Sequence, residues 1–210
     1  MPVNILCFGD SNTWGYTPLT GQRYSRDIRW TGVLQNELGP QANVVEEGLN
    51  GRTTNINEDN RLLRSGQDLL PVLIESHHPL DYLIIMLGTN DLKPQFKKKP
   101  KQIANDVGEI CELALNSEYF KSPKKQLLLI APSLLNSSAK ECVNEYASGI
   151  EKSYELARHY QSTAKELGIS FLNAAKIIET NDLDGVHWDS KQHRIIGEAI
   201  ANKIKVISAP

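Results

Sequence analysis

Four short polar blocks of the sequence contain residue types that could carry out acyl transfer. They are Gly-Asp-Ser-Asn at 9–12, Gly-Leu-Asn-Gly-Arg-Thr at 48–53, Gly-Thr-Asn-Asp at 88–91 and Asp-Gly-Val-His at 184–187. A serine hydroxyl is a poor nucleophile at neutral pH unless a base within about 2.6–3.2 Å takes its proton. Ser11 could supply the hydroxyl and His187 the base. Asp184 could then orient the imidazole and stabilise it when it is charged.

A tetrahedral intermediate also needs hydrogen-bond donors for its oxyanion, and three groups could supply them. These are the backbone N–H of Ser11, the backbone N–H of Gly51 and the side-chain amide of Asn90. Each donor of this kind contributes roughly 2.7–4 kcal/mol. Each residue also has a structural interpretation: Ser11 could cap a helix, Gly51 could serve a turn, and Asn90 with Asp91 could form an Asx turn. The chemical interpretation therefore depends on the four blocks occurring together.

The five histidines are distinguished by their positions in the sequence. His77 and His78 lie at the end of one predicted helix, while His159 and His193 lie within two others. Only His187 combines an acidic residue three positions earlier with a place outside a helix body. We therefore expect His187 to be the base.

Five apolar runs are predicted to be the strands that position these blocks: 3–8, 43–47, 82–87, 126–131 and 169–172. Their continuous apolar character indicates burial on both faces, as in a parallel sheet covered by helices. Helices are predicted over 31–38, 61–76, 101–117, 139–167 and 190–206. This alternation predicts an α/β fold with one doubly wound sheet. Ligands of such sheets bind beyond the carboxyl ends of the strands, where the blocks would converge.

Composition restricts the classes of partner. The 210 residues fit one domain over 1–210, and 23 Lys plus Arg against 25 Asp plus Glu argue against a nucleic-acid partner. With no visible secretory signal and no apolar run near the ~18 residues that cross a membrane, we expect a soluble cytoplasmic protein.

The basic run 97–101 is interpreted as a solvated loop. Cys7, Cys111 and Cys142 form no CxxC pair, and Cys7 is expected in the core.

With the four blocks present in this order, the sequence resembles the SGNH (GDSL-like) hydrolase family over essentially its whole length. The stretches GDSNTWGY, EEGLNGRTTNI and LIIMLGTNDLK look most like the bacterial aryl esterase and acyltransferase branch. The resemblance implies a three-layer α/β/α fold with a flavodoxin-like five-stranded parallel sheet. It also implies ester hydrolysis without a metal or other cofactor, with functional residues Ser11, Asp184, His187, Gly51 and Asn90.

The resemblance also implies a substrate class and an assembly. Short-chain, acetyl-type esters are the expected small-molecule substrates, with acyl transfer to alcohols as a second activity. A carbohydrate acetylesterase or a thioesterase with the same triad is the alternative. Proteins of this branch are compact oligomers, octamers in the best-known cases, so we expect a homo-oligomer. Gly51 replaces the alanine of the branch's acyltransferase, and Asn12 replaces the leucine of the older family name; the first difference could shift acyl preference.

Further residues are expected around the nucleophile. Asp10, Asn12, Trp14 and Asp91 are interpreted as supporting or pocket residues. Trp14 would lie one helical turn after the nucleophile, near the acyl pocket, with a core or interface position as the alternative. Residues 17–30 are predicted to form a pocket rim or a subunit contact, because long irregular loops in compact domains are usually functional.

Two other functional classes fit part of the pattern. A dinuclear metallophosphoesterase needs several more His and Asp ligands, and the third block here has no adjacent histidine. A flavodoxin-like nucleotide-binding module would need a phosphate-binding loop. Neither G-x-x-x-x-G-K-[ST] nor G-x-G-x-x-G is present. We therefore expect neither class.

Overall fold

A five-stranded parallel sheet forms the centre of the molecule, with strand order β2-β1-β3-β4-β5. The computed structural model describes residues 2–58, 61–123 and 126–207. The strands are β1 (Val3–Gly9), β2 (Ala42–Gly48), β3 (Tyr82–Met86), β4 (Leu127–Ala131) and β5 (Ser170–Asn173). This is the flavodoxin-like order. The five predicted strands are confirmed to within one residue at each end.

Helices cover both faces of the sheet and complete the predicted three layers. In the described ranges they are α1 (Ser11–Trp14), α2 (Trp30–Leu38), α3 (Gly66–Ser76), α4 (Pro100–Leu115), α5 (Lys140–Tyr146), α6 (Gly149–Leu167) and α7 (Ser190–Ile207). Helices α2 and α7 pack on one face, and α3 to α6 pack on the other. No helix in these ranges has both the length and the apolar character that crossing a bilayer would need.

Alternate residues of the same strands bury the two faces. Leu6 and Ile85 face α3, α4 and α6, whereas Ile5 and Ile84 face α2 and α7. Cys7 belongs to the second face and is fully buried, as predicted. Burial of one such side chain contributes roughly 1.5–3 kcal/mol, so these layers hold the strand ends firmly in place.

The helix predicted over 61–76 begins later than expected. Helix α3 starts at Gly66, and the Ser65 hydroxyl caps it by accepting the N–H of Asp68 at 3.3 Å. The preceding residues return toward the second polar block instead, where the guanidinium of Arg61 donates to the carbonyl of Asn50 at 2.7 Å. A tertiary contact therefore decides where this helix begins.

The single helix predicted over 139–167 is also wrong, because the segment forms two helices, α5 and α6. The break falls at Ala147, whose φ of 40° lies outside the helical region. Just after the break, Gly149 packs against the carbonyl of Leu92, so closely that a Cβ at Gly149 would clash with it. The turn thus lets α6 approach the segment that follows β3.

The prediction of a solvated loop for 97–101 is corrected in two ways, because Pro100 and Lys101 begin α4 and the side chain of Lys98 lies largely inside the fold. The side chains of Lys97 and Lys99 are exposed. The side chain of Lys98 is only 12% exposed and forms ion pairs with Asp91 and Asp106. A run of like charges therefore contains one lysine whose ammonium lies inside the fold.

Candidate active site

The first block forms a tight turn between β1 and α1. Gly9 has no room for a side chain, because a Cβ there would clash with Thr13 and lie 2.9 Å from the carbonyl oxygen of Met86. Asp10 caps α1, since its carboxylate accepts the N–H of Asn12 at 3.0 Å. Ser11 is therefore the first residue of the helix and not its cap.

Ser11, His187 and Asp184 are brought into one hydrogen-bonded chain. The Nε2 atom of His187 lies 2.9 Å from the Oγ atom of Ser11, and its Nδ1 lies 2.7 Å from Oδ2 of Asp184. The other carboxylate oxygen of Asp184 accepts the N–H groups of Val186 and His187 at 3.0 and 2.8 Å. Burial would raise the pKa of Asp184, but His187 and these N–H groups lower it below its usual value, so Asp184 is ionised.

The segment 180–189, here named the acid–base loop, is held against α1 mainly through Asn12. The amide of Asn12 donates to the carbonyl of Val186 at 3.2 Å and accepts the N–H of Trp188 at 3.1 Å. On the far side of the loop, the amide of Asn181 donates to the carbonyl of His187 at 2.9 Å. Asn12 therefore supports the imidazole by fixing the backbone on both sides of it.

An aromatic pair lies beside the imidazole. The Tyr16 ring stacks on His187 with 4.0 Å between centroids and 29° between planes. Half-buried Trp14 lies 6.5 Å from the Tyr16 ring, and the guanidinium carbon of Arg23 lies 5.2 Å from the Trp14 centroid. Sequence reasoning missed Tyr16, because nothing in the spacing connects it to His187.

The second and third blocks meet next to Ser11. The N–H of Leu49 donates to the carbonyl of Gly9 at 3.1 Å, which ties the second block to the end of β1. The amide of Asn90 donates to the carbonyl of Arg52 at 3.0 Å, which ties the second block to the third. An asparagine amide has two hydrogens, so this bond leaves one for a ligand.

Gly51 has a conformation and surroundings that suit glycine. Its φ is +77°, a region that residues with a side chain rarely adopt. A Cβ on Gly51 would lie 2.5 Å from Nη1 of Arg61. The guanidinium of Arg61 therefore packs directly on Gly51 while it donates to the carbonyl of Asn50.

Two buried charged groups, Asp10 and Arg52, lie next to the turn that carries Ser11. Burial lowers the pKa of Arg52 to about 10. Its guanidinium donates to the carbonyls of Gly9, at 2.8 Å, and Glu47. Burial raises the pKa of Asp10 to about 6, against the opposing effects of the Asn12 N–H and the charge of His187. Sequence reasoning missed Arg52, whose role depends on carbonyls at two strand ends.

The carboxylate of Asp91 is directed toward the second block. It accepts the N–H of Thr54 at 3.0 Å and its hydroxyl at 2.6 Å, and it pairs with the ammonium of Lys98 at 2.9 Å. Lys98 was also missed by sequence reasoning. Asp91 therefore lies between protein groups that hold it on two sides.

The loop predicted at 17–30 is fixed to the edge strand β2 by arginines. Arg29 pairs with Glu46 at 2.9 Å, and the more exposed Arg23 lies 4.0 Å from the same carboxylate. Arg26 donates to the carbonyl of Val44 at 3.1 Å. The loop is thus attached to the edge of the sheet, and its role as pocket rim or subunit contact stays a prediction.

In the described part of the chain, no group of three or more His, Cys, Asp or Glu side chains is arranged to hold a metal ion. The ligand set that a dinuclear metallophosphoesterase would require is therefore not assembled there.

Comparisons with known proteins point to one family. The model of the GDSL-like lipase/acylhydrolase family matches residues 7–195. A search among curated proteins found no significant match.

Solved structures give a similar picture. A carbohydrate acetylesterase from Sinorhizobium meliloti is 35% identical with a TM-score of 0.91, covering 98% of this chain and 99% of that chain. An aryl esterase from M. smegmatis is 36% identical with a TM-score of 0.91 and the same coverage. A member of the lipolytic G-D-S-L family from Veillonella parvula, at 16% identity and a TM-score of 0.65 over 98% of both chains, shares the fold.

The family model spans most of the chain, and the carbohydrate acetylesterase and the aryl esterase are each more than a third identical to this chain over nearly their full length. The chain therefore belongs to the GDSL-like (SGNH) lipase/acylhydrolase family and is a carboxylic ester hydrolase.

Proposed function

We propose that this hydrolase is a serine esterase that cleaves short-chain, acetyl-type esters through an acyl-enzyme on Ser11. The observation that carries the proposal is the chain of contacts from Ser11 through His187 to Asp184, at 2.9 and 2.7 Å. These distances lie within the reach that proton transfer from a hydroxyl to a base requires.

In the first step, Nε2 of His187 takes the hydroxyl proton as Oγ of Ser11 attacks the ester carbonyl carbon. The resulting oxyanion accepts hydrogen bonds from the N–H groups of Ser11 and Gly51 and from the amide of Asn90. When the tetrahedral intermediate collapses, the imidazolium gives its proton to the leaving alkoxide and an alcohol departs. Asp184 stays ionised and stabilises the transient imidazolium.

In the second step, water attacks the acyl carbon and gives a proton to His187. The imidazolium then returns this proton to Oγ of Ser11 as the carboxylic acid leaves. An alcohol in place of water would yield a new ester. We keep acyl transfer as a second activity. The apolar faces of Trp14 and Tyr16 beside the imidazole support it, because a less wetted surface favours an organic acceptor.

The same aromatic pair supports a ring-bearing substrate, since aromatic faces pack well against flat or sugar-like rings. The similar structures include an aryl esterase and a carbohydrate acetylesterase, which supports acetate esters of phenols or sugars. A thioesterase with the same three residues is the alternative. Turnover of p-nitrophenyl esters from acetyl to octanoyl, beside an acetylated sugar and an acetyl thioester, would rank these classes.

We also propose that the protein assembles into a homo-oligomer. Apolar side chains on the loops after β1 and β2 are largely exposed: Leu19 at 62%, Leu62 at 70% and Leu63 at 61%. Their exposure supports a homo-oligomer, up to an octamer. Each subunit would be one domain over 1–210. Sedimentation that shows only monomer at micromolar concentration would contradict the proposed oligomer. A cytoplasmic location stays a prediction that cell fractionation would test.

The Ser11→Ala variant tests the central proposal. We expect loss of p-nitrophenyl acetate turnover with an unchanged melting temperature, because the hydroxyl is the attacking group. A fluorophosphonate should label the wild-type protein at Ser11, even after treatment with a chelator. Turnover by the variant at the wild-type rate, or labelling at another residue, would contradict the proposal.

A further inference from the structure

A buried lysine joins the segments that carry two of the proposed oxyanion donors. Its ammonium lies 2.9 Å from Oδ1 of Asp91 and 2.7 Å from Oδ2 of Asp106. It also lies 3.0 Å from the hydroxyl of Thr54 and 2.6 Å from the amide oxygen of Asn55. The side chain of this residue, Lys98, is only 12% exposed. One cation therefore contacts three different parts of the fold.

Those three parts have distinct roles in the site. Thr54 and Asn55 follow Gly51 in the loop after β2, and Asp91 follows Asn90 after β3. Asp106 lies on α4, which is packed in the core and does not belong to the site. Lys98 thus connects both donor-bearing segments to a rigid helix.

The two donor segments are linked directly at two points. The amide of Asn90 donates to the carbonyl of Arg52 at 3.0 Å. The carboxylate of Asp91, which is fully buried, accepts both the N–H and the hydroxyl of Thr54. The second link depends on a buried negative charge, and that charge is compensated by Lys98.

The geometric demand on these segments is strict. Oxyanion donors are effective when they lie about 2.7–3.1 Å from the place where the charge develops, and a shift of about 1 Å far from the chemistry can cost about a hundredfold. Neither Gly51 nor Asn90 belongs to a strand or an α-helix, so neither is fixed by a regular ladder of backbone bonds. Buried ion pairs add little net stability but can specify one arrangement.

We propose that Lys98 is a positioning residue that fixes the spacing between the Gly51 N–H and the Asn90 amide. The inference rests on the proposed function of those two donors. Without the ammonium, Asp91 and Asp106 lose the cation they share and repel each other, and Thr54 and Asn55 lose their common partner. The loop after β2 then moves relative to Asn90.

The test replaces Lys98 with a side chain of similar length and no charge, Lys98→Met. The matched control is Lys97→Met, which removes the same charge from the same run at an exposed position. For Lys98→Met we expect kcat for p-nitrophenyl acetate to fall about 10- to 100-fold with KM unchanged. Lys98→Arg, which keeps the charge, should recover part of the loss, and Lys97→Met should match the wild type.

A second readout separates positioning from simple destabilisation. Phenylboronic acid forms a tetrahedral adduct with a serine Oγ and places an oxygen where the oxyanion would lie. Its affinity for Lys98→Met should fall by the same factor as kcat, measured at a temperature well below unfolding. A lower melting temperature with unchanged kcat and unchanged boronate affinity would overturn the proposal, and so would a loss confined to KM.

If Lys98→Met does not fold, Thr54→Val cuts the hydroxyl contacts to both Asp91 and Lys98 without changing the side-chain shape. Its control, Thr54→Ser, keeps the hydroxyl. Thr54→Val should then show the lowered kcat and boronate affinity, and wild-type values in both would overturn the proposal. Failure of the proposed function would appear separately, as turnover by Ser11→Ala in a chain with Lys98 intact.

Discussion

The two halves of the site are held in place by different kinds of interaction. On the oxyanion side, buried ions fix the backbone, as Lys98 and Asp91 do around Thr54. The acid–base loop is fixed by neutral groups, chiefly the amides of Asn12 and Asn181. The difference agrees with the role that we propose for each half in catalysis.

Oxyanion donors do not change charge during the reaction, so fixed ions nearby can hold them without being disturbed. In the proposed mechanism, His187 gains and loses a proton in each step. Neutral supports leave Asp184 as the charged side chain that is hydrogen-bonded to the imidazole in the described structure. A site of this kind separates the fixed oxyanion donors from the imidazole, whose charge changes during the proposed reaction.

The largest expected effect comes from Asp184, the carboxylate that contacts the imidazole directly. In Asp184→Asn an amide NH2 group takes the place of the carboxylate oxygen that faces Nδ1 of His187. It favours the wrong tautomer, in which the proton lies on Nε2, and this tautomer cannot take the proton of Ser11. We expect kcat to fall about 10⁴-fold in a p-nitrophenyl acetate assay. The matched control is Asp189→Asn in the same loop, where the side chain accepts the N–H of Gln192 at 2.9 Å. Equal losses of kcat in both variants would mean that any substitution in this loop disrupts activity. That result would contradict the specific role of Asp184 and the comparison of the two halves of the site.

The next effect comes from the oxyanion half. Asn90→Ala removes one proposed donor together with its bond to the carbonyl of Arg52, and we expect kcat to fall about 10²- to 10³-fold. The surface amide Asn43, at the opposite end of the sheet, gives a control as Asn43→Ala. Wild-type kcat in Asn90→Ala would remove this residue from the oxyanion hole.

The smallest effect concerns a histidine packed beneath the acid–base loop. His193 is fully buried beside Trp188, and its Nδ1 accepts the N–H of Trp30 at 3.3 Å. Burial, together with the charges of His187 and Arg29, lowers the pKa of His193 from 6.5 to about 3. The unfolded chain therefore binds this proton more readily than the folded protein does, and stability falls as the pH drops from 6.5 toward 3.

The limiting slope from one such group is about 1.4 kcal/mol per pH unit. His193→Asn keeps an acceptor near the position of Nδ1 but does not titrate. Urea unfolding at several pH values should give a flatter decline in the free energy of unfolding for this variant. Parallel curves for the two proteins would mean that other groups cause the acid sensitivity.

Much of the fold could be predicted from the sequence, because strands buried on both faces leave continuous apolar runs. Each strand was located to within one residue. The helix ends were harder, since contacts outside the helix decide them: Arg61 reaches Asn50 ahead of α3, and Gly149 packs on Leu92 after the break at Ala147. The hydrophobic periodicity of a segment carries no information about such contacts.

In the site, the blocks that end strands could be found because parallel strands place their carboxyl ends at one edge. Ser11, Asp184 and His187 were predicted in this way, and the structure brings them within hydrogen-bond distance. Tyr16 and Lys98 were missed for a physical reason. A ring stacked on an imidazole and a lysine between two carboxylates depend on distances across the fold, and a run of lysines is usually solvated.

The packing of Arg61 on Gly51 makes these two positions interdependent. A methyl group at 51 would lie 2.5 Å from Nη1 of Arg61, so the guanidinium that donates to Asn50 would have to shift. Directed evolution of acyl selectivity at position 51 would therefore meet epistasis, because the same substitution has a different effect before and after Arg61 is shortened. A library that randomises positions 51 and 61 together would recover combinations that are lost when one position is substituted at a time.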